Sequence, residues 1–123
     1  MSVTLILADD HPIVRQGLRH LLEGEPGFLI LAEAGDGLEA LRLVELLKPK
    51  ILIVDMMMPD ISGDRVIRMI RENPENRTKP ILVLSALHSL DAQRRARESG
   101  ANQFLPKNTP LPELLQHITH LLH

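Results

Sequence analysis

The 123 residues contain no cysteine, tryptophan or tyrosine and carry a net charge of −2. A chain of this length is expected to form a single domain over residues 1–123, and without cysteine it has no disulfide framework, thiolate metal site or thiol nucleophile, which makes a reducing cytoplasm the natural setting. The slight acidic balance argues against direct DNA binding by this segment, and no apolar run approaches the roughly 18 residues of a membrane helix, so no membrane association is expected.

Residues 4–8 (TLILA) read as a first strand, and the helical spacing that follows Asp9-Asp10-His11-Pro12 stops at Gly24-Glu25-Pro26-Gly27. Residues 29–34 form the second strand; Leu38, Leu41, Val44 and Leu47 then recur at i+3 after Gly35-Asp36-Gly37, predicting an amphipathic helix that ends at Lys48-Pro49. The run Ile51-Leu52-Ile53-Val54 has no polar face, as expected of a strand buried on both sides in a parallel sheet. A third helix stops at Asn73-Pro74, residues 81–84 make the fourth strand, and a fourth helix stops at Ser99-Gly100. Residues 103–105 are the last strand, and Leu111, Leu114, Leu115, Ile118, Leu121 and Leu122 mark a closing helix with one apolar stripe. The repeated βα alternation predicts a doubly wound α/β fold with a five-stranded parallel sheet.

In such a sheet, ligands bind beyond the carboxyl ends of the strands. Asp9 and Asp10 follow the first strand, Asp55 the third, Ser85 the fourth, and Lys107 lies just past the fifth. Three carboxylates brought to about 4 Å would repel by roughly 4 kcal/mol per pair at an effective dielectric near 20, so the site is expected to need a cation. With only oxygen ligands and no His or Cys positioned to help, Mg²⁺ is the expected ion. A metal-held carboxylate is a workable phosphoryl acceptor: Asp55 attacks in line while Lys107 and Ser85 supply a cation and a hydroxyl for the remaining oxygens.

Through LILADDHPIVRQGLRHLLE, ILIVDMMMPDISG, ILVLSAL and ESGANQFLPK, the chain resembles the response-regulator receiver family, whose best-known members are CheY-like. The likeness runs from residue 5 to about residue 121 and implies the strand order 2-1-3-4-5. It further implies that Asp10 is a direct Mg²⁺ ligand and Asp9 a second, direct or through water, with Asp55 both ligand and phosphoacceptor and Met57 giving only its backbone carbonyl. Ser85 takes the position of the switch hydroxyl, Phe104 that of the switch aromatic, Lys107 that of the family lysine, and Gly63 that of the turn into the third helix. The implied partner is a sensor histidine kinase or phosphotransfer protein, with a homodimer on phosphorylation left open.

The Asp-Asp-His-Pro opening, the DMMMP run and the lack of Pro after Lys107 are most similar to the LuxR/NarL branch. That likeness implies control of transcription through a DNA-binding domain absent from this chain, which then reads as an excised or a stand-alone receiver, the latter acting on a partner protein. Asn108 stands where many receivers have Pro, so a cis bond after Lys107 is not assumed, and Ser85 replaces the commoner Thr.

An aspartate-nucleophile phosphatase would also use Mg²⁺, but its usual acid/base Asp two residues on is here Met57. A degenerate receiver serving only as a binding module is opposed by the intact Asp9, Asp10, Asp55, Ser85 and Lys107. The expected chemistry is therefore limited to the chain's own phosphorylation and dephosphorylation, and the apolar Met57 and Leu87 are expected to flank the approach of hydrolytic water and slow it. His11 reads as packing or capping at the start of the first helix, and His117, His120 and His123 as a solvated face. Arg94, Arg95 and Arg97 likewise read as a solvated helix face, and Met56, Met57 and Met58 as gap-filling hydrophobes.

Overall fold

The computed structural model of the chain describes residues 2–86 and 89–122. Its elements are β1 (Val3–Ala8), α1 (Pro12–Glu23), β2 (Phe28–Ala34), α2 (Gly37–Leu47), β3 (Ile51–Val54), α3 (Gly63–Glu72), a short 3-10 turn (Pro74–Asn76), β4 (Ile81–Ser85), α4 (Leu90–Ser99), β5 (Gln103–Pro106) and α5 (Leu111–Leu121). All neighbouring strands pair in parallel in the order β2-β1-β3-β4-β5. Each helix stops where the punctuation places it, while β4 and β5 run on to Ser85 and Pro106, which pair with each other. Proline is tolerated there because β5 is an edge strand.

The two faces of the sheet follow from the alternation of side chains along each strand. Ile6, Ala8, Leu52, Val54 and Val83 point to one layer, where they meet Ala40 and Val44 of α2, Val66, Ile67 and Ile70 of α3, and Ala96 of α4. Leu5, Leu7, Ile51, Ile53, Leu82 and Leu84 point to the other and meet Leu22 of α1 and Leu114 and Ile118 of α5. Full burial of each such Leu, Ile or Val is worth about 1.5–3 kcal/mol over exposure, so the central strands need no polar face to be held in place. The closing helix buries its expected stripe, but α2 does not. Leu38 is 56% exposed and Leu47 is also exposed, because α2 is turned so that Gly37, Ala40 and Val44 face the sheet.

That rotation brings the start of α2 against the loop between β3 and α3. A Cβ on Gly37 would lie 2.5 Å from Ile61 Cγ1 and 2.8 Å from Val66 Cγ2, so only glycine fits this approach. The same loop carries Asp60, whose Oδ1 accepts from the Gly37 N–H at 2.7 Å and whose Oδ2 accepts from the Leu38 N–H at 2.8 Å. Asp60 thus caps a helix from another part of the chain, alongside the local cap from Asp36 to the Glu39 N–H at 2.8 Å. At its other end the loop is pressed on β3: a Cβ on Gly63 would fall 2.2 Å from the Asp55 carbonyl oxygen, and the Gly63 N–H donates to the Met56 carbonyl at 2.9 Å.

Slight burial raises the Asp60 carboxyl, but hydrogen bonds from the Leu38 and Gly37 N–H groups outweigh it and hold the group at about 2, against an ordinary 3.8. A carboxyl lowered by folding stabilises the fold above its unfolded value and loses that contribution as pH falls through the folded one. Asp60→Ala is therefore expected to cost about 1 kcal/mol at neutral pH, the usual worth of a cap. Urea titrations should show the gap to wild type closing as the pH is lowered from 3.8 towards 2.

Candidate functional site

Backbone hydrogen bonds that prolong the sheet set the site at its carboxyl edge. The Asp9 N–H donates to the Ala34 carbonyl at 3.0 Å, the Asp55 N–H to Ala8 at 2.9 Å, and the Lys107 N–H to Ser85 at 3.1 Å. Asp55 is 2% exposed. Lys107 Nζ lies 2.9 Å from Asp9 Oδ2 and 3.0 Å from Asp55 Oδ2, so one ammonium bridges the ends of the first and third strands. The Met57 N–H donates to the other Asp55 oxygen at 3.3 Å.

Burial pushes the Asp55 carboxyl up, and the Lys107 and Met57 hydrogen bonds offset this only in part. Burial acts on Lys107 in the opposite sense, yet its hydrogen bonds to Asp9 and Asp55 outweigh it and the ammonium is held above its usual range. The two shifts have different causes: removal from water raises the Asp55 carboxyl, whereas two carboxylate partners raise the Lys107 ammonium against its own burial.

Asp9, Asp10, Asp55 and Lys107 converge as the sequence implies. Ser85 is fully buried at the end of β4, two strands from Asp9 and beside Lys107 in the ladder. Phe104 stands outside the acidic cluster: it pairs with Val83 across β4 and β5 and packs, partly buried, against the layer containing α2, α3 and α4. Met57 is 54% exposed rather than filling a gap, whereas Met56 is buried. Leu87 and His123 lie outside the described residues. No peptide bond is cis among the described residues, so the Lys107–Asn108 link is trans. Arg94, Arg95 and Arg97 are exposed as expected, with Arg95 also reaching Asp64 of α3 at 3.2 Å. His117 is half-buried, 2.8 Å from Gln103 Nε2, so the solvated face does not extend to it.

The reading of His11 needs correction. Its side chain caps no helix N–H and packs in no core, being 58% exposed; instead Nδ1 lies 3.2 Å from Asp9 Oδ1 and 3.0 Å from Asp10 Oδ1. The backbone N–H of His11 donates to Asp9 Oδ1 at 2.9 Å, and this tight turn draws the ring inward. Arg15 was equally invisible in the sequence. From the first turns of α1 its Nη1 donates to the Asp9 carbonyl at 2.6 Å, while Nε pairs with Glu33 of β2 at 3.0 Å. Glu33 is also bound by Arg19, so an arginine pair on α1 fixes the backbone that presents the acidic pair. Its partner lies on a different strand, so no local spacing marks it.

Asp9, Asp10, His11 and Asp55 each offer a ligand atom, and these atoms lie within 4.8 Å of one another. Asp10 Oδ1 is buried without a hydrogen-bond partner, for although His11 Nδ1 is near, the alignment of a hydrogen bond is lacking. An orphaned carboxylate oxygen facing two further carboxylates fits a divalent cation. A family model described as the response regulator receiver domain matches residues 5–119. The chain belongs to the response regulator receiver family.

The transcriptional regulatory protein PdtaR of Mycobacterium tuberculosis is 38% identical over 114 residues, 93% of this chain and 54% of PdtaR. The chain spans about half the length of the curated relatives it matches. A LuxR-family response regulator from Aurantimonas sp. SI85-9A1 superposes with a TM-score of 0.91 at 34% identity, covering 99% of this chain and 86% of that one. The signal receiver domain of NarL from Mycobacterium tuberculosis gives a TM-score of 0.91 at 27% identity, covering 98% and 96%. This is thus a CheY-like receiver of a two-component system, similar to transcriptional regulators and with LuxR- and NarL-type receivers among its neighbours.

For this receiver, Asp10→Ala is expected to stabilise the metal-free fold by about 1 kcal/mol, since it removes a buried, unpaired acceptor. A divalent cation is expected to raise the melting temperature of wild type but not of this variant. A large loss of metal-free stability would show that Asp10 is mainly structural.

Proposed function

We propose that this receiver takes a phosphoryl group onto Asp55 from a sensor histidine kinase or phosphotransfer protein, and that the change at Asp55 is passed to an output that controls transcription. The observation that carries the reading is the bridge of Lys107 Nζ to the buried Asp55 at 3.0 Å and to Asp9 at 2.9 Å. It places a cation where an acyl phosphate on Asp55 would develop negative charge. Asp9, Asp10, Asp55 and the Met57 carbonyl are the residues to hold Mg²⁺. When bound, that ion would supply charge neutralisation for the phosphoryl oxygens.

In the transfer, an Asp55 carboxylate oxygen forms a bond to phosphorus as the P–N bond of the donor phosphohistidine breaks, and the imidazole nitrogen leaves with the electron pair. Lys107 then follows the charge from the carboxylate to the phosphoryl group, and the Ser85 hydroxyl turns to a second oxygen. A cleft of about 220 Å³ between α1 and the segment after β5 runs up to Asp9 and Lys107, lined by Ile13, Val14, Leu21 and Leu111. Its apolar rim suits the helix of a donor protein that must bring its histidine to Asp55.

Incubation with a small phosphodonor and Mg²⁺ is expected to add one phosphoryl group to the wild type and none to Asp55→Asn, read by intact-mass spectrometry. Equal labelling of both would refute the assignment. Separately, Ser85→Ala and Lys107→Ala should still accept some phosphate yet fail to shift the face formed by α4, β5 and α5, because both groups favour the active state only through the new phosphoryl oxygens. NMR resonances of Phe104 report this, and wild-type shifts in the phosphorylated variants would exclude that route.

A further inference from the structure

We infer that His11 is a fourth side-chain ligand of the cation in this site and biases it towards first-row transition ions over Mg²⁺; this rests on the metal-dependent reading of the site above. Nδ1 of His11 lies 3.0 Å from Asp10 Oδ1 and 3.2 Å from Asp9 Oδ1, inside the same 4.8 Å group as an Asp55 oxygen. A ring so placed is as close to the acidic oxygens as they would be to one another around a shared ion.

Three features make this a ligand's position. Pro12 at the first position of α1 and the bond from the His11 N–H to Asp9 Oδ1 fix the backbone that carries the ring. The ring neither caps the helix nor packs in a core; without an ion its Nδ1 hydrogen-bonds Asp9 Oδ1 at 3.2 Å and lies 3.4 Å from Lys107 Nζ, contacts that an ion on Nδ1 would replace. The facing Asp10 Oδ1 is buried with no hydrogen-bond partner, which an ion shared with His11 would supply. In the neutral ring with its proton on Nε2, Nδ1 presents a lone pair to that ion.

The chemistry then sets the preference. Mg²⁺ favours oxygen donors and gains little from an imidazole, whereas affinity for nitrogen-containing sites rises from Mn²⁺ through Co²⁺ to Ni²⁺. One nitrogen among three carboxylates moves an oxygen site towards such ions without closing it to Mg²⁺. The ligand class is thus a divalent first-row transition cation.

The test uses the full chain in a His117→Ala/His120→Ala background, which removes the half-buried and the exposed histidine of α5 as competing ligands. Calorimetric titrations with Mg²⁺ and with Co²⁺ are compared with and without His11→Ala, and the His11 ring resonances are followed during Co²⁺ addition. Expected is a loss of about tenfold in Co²⁺ affinity on His11→Ala, unchanged Mg²⁺ affinity, and large paramagnetic shifts of the His11 ring. Unchanged Co²⁺ affinity, or equal losses for the two ions, would overturn the inference while leaving Mg²⁺ binding and Asp55 phosphorylation in place. Failure of the background protein to bind either ion would overturn the metal-dependent reading itself.

Discussion

The ammonium of Lys107, held 2.9 Å from Asp9 and 3.0 Å from Asp55, is the contact on which this receiver depends. It joins the end of β5 to the ends of β1 and β3 and meets a carboxylate that burial alone would force towards its neutral form. Partial compensation is the important feature. Three carboxylates face one lysine, and at an effective dielectric near 20 each unrelieved pair at about 4 Å costs roughly 4 kcal/mol. The site therefore folds in a state that favours added positive charge and is sensitive to any chemistry at Asp55.

The rest of the fold keeps this tense cluster from relaxing. Gly63 lets α3 press on the Asp55 carbonyl, so the strand end cannot retreat from the pocket. Asp60 ties the same loop to the first turn of α2, and Arg15 with Glu33 ties the Asp9 backbone to α1 and β2. These are polar bonds at helix starts and strand ends, while the aliphatic layers on the two faces of the sheet supply the bulk of the stability. The division suits a signalling domain: the core fixes where the strands end, and a few replaceable hydrogen bonds fix what stands there.

Strand β5 joins the site to one edge of the sheet. Lys107 follows its last residue, Phe104 lies within it, and Ser85 pairs with Pro106 at its end. Lys107 and Ser85 thus adjoin the same short edge strand that holds Phe104, which packs against the layer containing α4. An edge strand, with a neighbour on one side only, can shift at lower cost than the central β3, which is locked on both sides and both faces. On the opposite side of the site, the cleft beside α1 reaches Asp9 and Lys107.

By itself the sequence determined the order of strands and helices along the chain, the burial of β3, and the identity of the residues at each strand end. These are local matters of side-chain period, glycine and proline punctuation, and single-residue chemistry. Only the tertiary structure decided how α2 is turned, because the i+3 row of Leu38, Leu41, Val44 and Leu47 is equally compatible with several rotations, and the contact of Gly37 with Ile61 and Val66 selects one. The same holds for His11. A histidine before a helix proline reads as a cap until the turn from Asp9 aims its ring at the carboxylates. Arg15 with Glu33 and Asp60 with Gly37 are separated by 18 and 23 positions in the chain, so their pairing exists only once β2, α2 and the loop after β3 have been brought together by packing.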